Sequence, residues 1–219
     1  MKSSRLPGKA LKMMGGYPLV ERVIKRAQLT GYPVVLATSE TQEDDALEKL
    51  MVNINVPCFR GSEDNVLERA VLAAEQYGFK AFARLCGDRP LFSIEEMTSA
   101  LSLWEKSRDE DKPDLITNHY PVKAIKGLTT EVVNTNSLRE LLENNPDQDE
   151  QEHLTLGFYN AIDQFNIKPV TSKFSSNSKG SSGFAVDTEE DFIRLNQIIE
   201  KHSNLNYELE GDKIDSLKA

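Results

Sequence analysis

The alternation of helix-like and strand-like segments between residues 19 and 118 constrains the fold of this chain more than any other sequence feature. The first segment is a predicted helix whose apolar residues recur at helical spacing: Leu19, Val23, Ile24 and Ala27. Residues 32–37 then form a short apolar run typical of a buried strand. The same order of helix and strand is repeated along the chain. It predicts an α/β fold of the Rossmann-like type, with a mainly parallel sheet covered by helices.

The second half of the chain departs from this alternation of helices and strands. We expect further strands over residues 81–86 and 114–118, separated by a helix over 93–106. Residues 119–165 mix extended, helical and polar stretches, which predicts an inserted arm. The serine-rich stretch 175–182 is flexible by composition, and a last helix is expected over 189–201. The whole predicts a single domain over residues 1–201 and a loosely held tail over 202–219.

Composition excludes several classes of protein. The formal net charge is -9 and the acidic residues are spread along the chain, whereas a nucleic-acid surface needs a basic stripe. No apolar run approaches the roughly 18 residues of a membrane span, and the first residues do not form a signal peptide. Cys58 and Cys86 form no CxxC pair, so neither a disulfide framework nor a zinc site is indicated. We therefore expect a cytoplasmic protein without membrane or nucleic-acid partners.

The amino-terminal motif places two cations around a Pro-Gly turn. Arg5 and Lys9 are four residues apart, and Ser4 and Gly8 lie beside them. Backbone donors near a glycine, together with Arg and Lys side chains, suit the oxygens of a triphosphate. The motif is not a P-loop, because GxxxxGK[ST] is absent. Taken alone, a basic amino terminus of this kind is more often a solvated tail.

Two aspartates are candidate ligands for a magnesium ion. Asp88 follows Gly87 at the end of a predicted strand, the position where ligands bind in open α/β sheets, and Asp187 precedes the last helix. Magnesium prefers oxygen ligands and is usually held by one or two carboxylates plus substrate phosphates. The alternative interpretations are a turn residue for Asp88 and a helix N-cap for Asp187.

Three further motifs carry polar groups that could contact a substrate. Arg60 opens a glycine loop between a strand and a helix, although a loop with a helix cap explains that motif equally well. Glu131 ends a polar run, and Glu152 precedes the lone histidine of its motif, His153. A lone histidine is more often a hydrogen-bonded core residue than a catalyst. No Cys/His or Ser/His/Asp arrangement indicates a covalent nucleophile.

In order and spacing, these motifs together resemble the cytidylyltransferase family that includes spore coat polysaccharide biosynthesis protein F, relatives of the CMP-sialic acid and CMP-octulosonate synthetases. The matching stretches cover nearly the whole chain: residues 4–11, 60–67, 84–91, 127–132, 152–155 and 186–192. The opening motif, the Gly-Asp pair and the Val-Asp-Thr-Glu-Glu-Asp-Phe stretch are the most specific. Six matches in the same order are much stronger than any one of them.

The resemblance implies transfer of CMP from CTP to a sugar acid, with release of pyrophosphate, in surface polysaccharide biosynthesis. It implies that Arg5 and Lys9 grip the triphosphate and that Asp88 and Asp187 hold Mg²⁺ on it. It also implies a homodimer. The remaining implied substrate-binding residues are Ser4, Gly8, Arg60, Arg84, Gly87, Glu131 and His153.

The chain departs from the family pattern in three places. The buried strand that usually precedes the opening motif is absent from the sequence, so we expect a truncated reading frame or a fragment that lacks the first strand of its fold. Arg89 stands where the family often has a small residue, and the serine-rich stretch replaces part of the approach to the last strand. The alternatives are a nucleotidyltransferase for another nucleotide or phosphosugar, and a truncated, non-catalytic nucleotide-binding protein.

Overall fold

The computed structural model describes residues 5–174 and 183–202, and these residues contain eight α-helices and eight β-strands. The helices are α1 (Leu19–Gln28), α2 (Asp45–Asn53), α3 (Val66–Gln76), α4 (Ile94–Lys106), α5 (Thr135–Glu143), α6 (Gln148–Glu152), α7 (Leu156–Asn160) and α8 (Glu189–Lys201). The strands are β1 (Met13–Met14), β2 (Tyr17–Pro18), β3 (Leu36–Ser39), β4 (Cys58–Gly61), β5 (Ala81–Ala83), β6 (Leu115–Thr117), β7 (Glu131–Asn134) and β8 (Ile167–Pro169). The predicted α/β fold is confirmed.

Side-chain caps fix the starts of the long helices. Ser93 accepts a hydrogen bond from the backbone N–H of Glu96, which satisfies one of the unpaired donors in the first turn of α4. Thr188 and Asp191 form a capping box at the start of α8. The cap of α3 is Asn65, since its amide oxygen accepts a hydrogen bond from the backbone N–H of Glu68.

The described strands form three separate groups. β1 and β2 make a small antiparallel hairpin, β3 and β4 pair in parallel, and the main sheet has the order β5-β7-β6-β8. Within the main sheet, β7 runs antiparallel to both neighbours, while β6 and β8 are parallel. The sheet is therefore mixed and not mainly parallel. Because β7 lies in the middle of this sheet, part of the predicted arm over 119–165 is integral to it.

A cavity separates the two larger groups of strands. β3 pairs only with β4 and β5 only with β7 among the described strands, so each keeps one edge without a partner strand. The cavity of about 650 Å³ between them is lined by residues of β3, β5, α1, α3 and α4.

One hydrophobic cluster joins distant parts of the chain. We call it the basal cluster, and its buried members are Leu6, Met14, Leu19, Leu91, Ile125, Leu128, Phe174, Phe184, Val186, Phe192, Leu195 and Ile199. It draws together the amino-terminal motif, the segment after Asp88, the approach to β7 and helix α8. No helix in the described residues is long and apolar enough to span a membrane.

Candidate active site

Lys9 lies at the centre of a cluster of charged side chains. Gly8 has a φ of +68°, a left-handed conformation that glycine adopts at little cost, and this turn leads into the short 3-10 helix Lys9–Leu11. From the first residue of that helix, Lys9 Nζ donates hydrogen bonds to Asp88 Oδ2 and to the carbonyl oxygen of Val186, each at 2.7 Å. The side chain is only 20% exposed, and these two hydrogen bonds fix its position.

The two aspartates predicted as metal ligands meet at this lysine. The backbone N–H of Val186 donates to the carbonyl oxygen of Asp88 at 2.9 Å, which ties the loop after β5 to the segment before α8. Lys9 Nζ lies 2.7 Å from Asp88 Oδ2 and 4.0 Å from Asp187 Oδ1. Asp187 is not the N-cap of α8, because Thr188 occupies that position. The structure therefore brings together two carboxylates that are far apart in sequence.

Two more cations contact Asp187. Arg5 Nη2 donates to Asp187 Oδ1 at 3.3 Å, and Lys126 Nζ forms an ion pair with the other carboxylate oxygen. The side chains of Arg5 and Lys126 are each 65% exposed, so both can also reach a ligand from solvent. Partial burial alone would raise the pKa of Asp187, but Lys126, Arg5 and Lys9 outweigh it and lower that pKa. Asp187 is thus an ionised carboxylate facing three cations.

Lys126 is not among the site residues predicted from the sequence. Its position depends on Gly127, which has a φ of +88° and lies directly against the backbone of Phe184 and Ala185. The backbone N–H of Phe184 donates to the carbonyl oxygen of Lys126 at 2.7 Å. A Lys-Gly pair that interrupts an extended segment was the signal available in the sequence.

The charged cluster fits a magnesium ion that is shared with a ligand. Among the described residues, no group of three or more His, Cys, Asp or Glu side chains could enclose a metal ion. Asp88 and Asp187 supply two carboxylates beside exposed cations. Magnesium held by one or two carboxylates completes its shell with water and phosphate oxygens, and the cations suit those phosphates.

A second polar network surrounds the buried carboxylate of Glu131. Arg84 Nη1 donates to Glu131 Oε2 at 2.9 Å, while the hydroxyls of Thr155 and Tyr159 donate to Oε1 at 3.1 and 2.9 Å. The Arg84 backbone N–H also donates to the Glu131 carbonyl oxygen at 2.9 Å, so β5 and β7 fix the pair. Burial of Glu131 would raise its pKa, but Arg84 and the hydroxyl donors lower it, which keeps the carboxylate charged.

Arg89 and His119 lie near this network. Arg89 Nη1 donates to the carbonyl oxygen of Thr129 at 3.3 Å, and the described residues give Arg89 no carboxylate partner. The His119 ring meets the ring of Tyr159 edge-on, with centroids 6.1 Å apart. Burial lowers the pKa of His119, so the ring is neutral near pH 7. Arg89 thus adds a positive charge that no ion pair neutralises within the described part of the chain.

Arg60, which is predicted to bind substrate, forms several hydrogen bonds within the protein. Its guanidinium donates to the carbonyl oxygens of Ser39 and Thr41 and to the carboxylates of Asp45 and Glu48, at 2.5 to 2.9 Å. The ion pair with Asp45 raises the pKa of Arg60. These bonds fasten the end of β4 to the start of α2, because that helix begins with acidic residues.

The remaining residues that were predicted to bind substrate lie in different parts of the structure or outside the described residues. Gly87 is exposed next to Asp88, and a Cβ there would meet only Val20 at 3.6 Å, so this position faces open space. His153 is exposed at the end of α6 and is not a core residue, and Thr155 of the same motif donates a hydrogen bond to Glu131. Ser4 lies outside the described residues, as do the serine-rich stretch 175–182 and residues 203–219 of the predicted tail.

Comparisons with known proteins agree with this architecture. The family model described as Cytidylyltransferase matches residues 1–217. The spore coat polysaccharide biosynthesis protein SpsF of Bacillus subtilis is 29% identical over 210 residues, which cover 92% of this chain and 83% of that protein. Among curated relatives, this match supports the resemblance found from the motifs.

Solved structures support the same fold. A cytidylyltransferase from Leptospira borgpetersenii superposes with a TM-score of 0.86 at 23% identity, covering 99% of this chain and 89% of the other. A CMP:2-keto-3-deoxy-manno-octonic acid synthetase complexed with CTP superposes with a TM-score of 0.65 at 18% identity, covering 92% and 95% of the two chains. With the family model matching almost the full length, the chain belongs to the cytidylyltransferase family.

Proposed function

We propose that this protein transfers CMP from CTP to a sugar acid and releases pyrophosphate, as a step in surface polysaccharide biosynthesis. One observation carries the proposal: Arg5, Lys9 and Lys126 converge on the carboxylates of Asp88 and Asp187 at one point of the fold. Three cations beside two carboxylates match a triphosphate with a divalent ion. Family membership supports CTP as the source of that triphosphate.

The charged residues have distinct proposed roles. Arg5 and Lys126 are mostly exposed and bind the outer phosphates, whereas the more buried Lys9 orients the phosphate that is attacked. Asp88 and Asp187 hold Mg²⁺, which supplies positive charge to the phosphate oxygens when it is bound. As the triphosphate enters, Lys9 exchanges its bond to Asp88 for a phosphate oxygen. The described residues supply no covalent nucleophile to this site.

The reaction is an in-line displacement at the α-phosphorus. A hydroxyl oxygen of the sugar forms the new P–O bond, the bond to the bridging oxygen of the β-phosphate breaks, and the hydroxyl proton passes to solvent. Arg5, Lys9 and Lys126 stabilise the negative charge that moves onto the departing pyrophosphate. The protein thus contributes orientation and electrostatic stabilisation.

The preference for an acidic sugar is supported by the charges around Glu131. Arg84 is neutralised by Glu131, but Arg89 has no carboxylate partner among the described residues. A planar guanidinium that lacks a carboxylate partner suits the carboxylate of a sugar acid. We therefore place the sugar beside Asp88, Arg89 and the Glu131 network.

The test is pyrophosphate release from CTP in the presence of Mg²⁺ and an acidic sugar. Asp88→Asn should lower the rate at least 100-fold, because it removes a charge from the proposed metal site. Asp163→Asn, an exposed aspartate of a short 3-10 helix, is the matched control and should retain the parent rate. Parent-level turnover by Asp88→Asn would refute the metal assignment.

The same purified protein can be used to distinguish two alternative functions. A nucleotide panel in a thermal-shift assay would show preference for another nucleotide if the chain is a different nucleotidyltransferase. Binding of CTP without release of pyrophosphate across a panel of sugars would indicate a non-catalytic nucleotide-binding protein. The homodimer and the cytoplasmic location stay predictions, and sedimentation of the purified chain tests the first.

A further inference from the structure

His119 lies at the edge of the main sheet where the candidate site is built. β5 and β6 both run antiparallel to β7, so they are parallel to each other and their carboxyl ends lie at the same edge. Asp88 lies in the segment that follows β5, and His119 comes just after the end of β6. Glu131, the first residue of β7, pairs with Thr117 at this edge. In α/β sheets, ligands bind outside the carboxyl ends of the strands.

The polar network around Glu131 holds the backbone of His119. The N–H of His119 donates to the hydroxyl oxygen of Thr117 at 2.9 Å, and that hydroxyl is hydrogen-bonded to the hydroxyl of Tyr159, also at 2.9 Å. Because Tyr159 uses its only proton to donate to Glu131, the hydroxyl of Thr117 is the donor to Tyr159. A chain of hydrogen bonds therefore runs from the buried carboxylate to His119.

The loop between β6 and β7 carries groups to both parts of the candidate site. It includes His119 near its start and Lys126 further along, and Lys126 forms an ion pair with Asp187 in the charged cluster. Asn118 closes the base of the loop, because its Nδ2 donates to the carbonyl oxygen of Leu128 at 2.9 Å. A single closed loop thus links the charged cluster with the second polar network.

The hydrogen bonds of the His119 ring determine which nitrogen carries the proton. The backbone N–H of Ala124 donates to Nδ1 at 3.1 Å, so the proton of the neutral ring is on Nε2. Burial lowers the pKa of His119, and Lys123 and Arg89 oppose the charge of Glu131, which keeps the ring neutral near pH 7. Within the described part of the chain, Nε2 has no hydrogen-bond partner. The ring thus presents one unused N–H donor.

We propose that His119 binds the sugar acid by donating a hydrogen bond from Nε2 to one of the sugar's oxygens. The inference rests on the proposed function, which places the sugar beside the Glu131 network. Since Nε2 already carries a proton, it cannot accept the proton of the attacking hydroxyl. His119 therefore orients the sugar and is not a general base. Its loss should change the KM for the sugar more than kcat.

Asparagine and glutamine distinguish the two ring nitrogens. His119→Asn places an amide oxygen near the position of Nδ1, where it can accept from Ala124, but it has no donor at the position of Nε2. Loss of one hydrogen bond should raise the KM for a 2-keto-3-deoxy sugar acid about 5- to 10-fold. The value of kcat should change less than about threefold, and the KM for CTP should stay the same.

His119→Gln tests rescue, because its longer side chain brings an amide N–H donor near the position of Nε2. This variant should recover most of the KM for the sugar acid. Val122→Ala, at an exposed position of the same loop, is the control and should keep the parent KM. A merely structural role would lower the melting temperature of His119→Asn and raise the KM values for CTP and sugar together, which would overturn the inference.

A second measurement is independent of turnover. The chain contains three histidines, so the NMR spectrum of protein labelled with ¹⁵N-histidine is simple, and His119→Asn identifies the signals of residue 119. The parent should show its proton on Nε2. A proton on Nδ1, or a parent-like KM for the sugar acid in His119→Asn, would overturn the inference alone. Absence of pyrophosphate release by the parent with every acidic sugar would overturn the proposed function and this inference with it.

Discussion

Gly127 should be the glycine of this fold that least tolerates a side chain, because its backbone lies against the segment that carries Asp187. An added Cβ would come within 2.3 Å of the backbone carbon of Phe184 and 2.5 Å of the Ala185 nitrogen, neither of which can turn aside. The φ of +88° adds a conformational cost of about 1 to 2 kcal/mol for alanine. Displacement of the packed backbone adds about 1 to 3 kcal/mol. Gly127→Ala should therefore lose about 2 to 5 kcal/mol of unfolding free energy.

Gly31→Ala provides the matched control for this perturbation. Gly31 has a similar φ of +81°, but a Cβ there would meet nothing within 4 Å. The unfolding free energy of Gly31→Ala should decrease only by the conformational cost, about 1 to 2 kcal/mol. Urea denaturation measures both variants. Titration with CTP should show weaker binding in Gly127→Ala alone, since Lys126 moves with its neighbour. Equal stability of the two variants would refute the steric argument.

Three other perturbations test separate parts of the structure. Glu131→Ala should lower the free energy of unfolding, measured by urea denaturation, by about 3 to 5 kcal/mol, because it leaves the partly buried Arg84 without its carboxylate partner. A decrease below 1 kcal/mol would contradict this. The pKa of Asp187 is lowered in the folded protein, so its contribution to stability is complete above about pH 4 and is lost as the pH falls further. Asp187→Asn should flatten the acid limb of a plot of unfolding free energy against pH. Arg60→Ala should lower stability by about 1 to 3 kcal/mol yet change CTP affinity less than twofold, and a larger loss of affinity would restore its predicted contact with substrate.

Features set by neighbouring residues could be predicted from the sequence. The last helix begins and ends as expected, because Thr188 and Asp191 cap it locally and its apolar residues follow helical spacing. By contrast, the break between α6 and α7 was not predicted. There the backbone leaves the helical conformation at His153, and the hydroxyl of Thr155 donates to Glu131, a residue 24 positions away. Helical spacing carries no information about such a distant partner.

The place of β7 could not be predicted for the same reason. Its sequence is consistent with a buried strand, but its position between β5 and β6 depends on pairing across the chain. Once β7 occupies the middle of the sheet, its first residue, Glu131, lies beside Arg84. What looked like an inserted arm therefore supplies the buried carboxylate of the second network.

The basal cluster explains why the charged site could be identified in parts but not assembled from sequence. Each group of charged residues has a buried member of this cluster close by: Leu6 follows Arg5, Leu91 follows Asp88, Leu128 follows Lys126, and Val186 precedes Asp187. The charges are strongly hydrated and attract one another only at short range, so they do not bring the four segments together by themselves. Burial of the neighbouring apolar residues supplies the free energy that brings the four segments together. It also places the charges at the edge of the basal cluster. Truncation of Leu128 should accordingly weaken CTP binding, measured by titration of the variant with CTP, because it loosens the segment that carries Lys126.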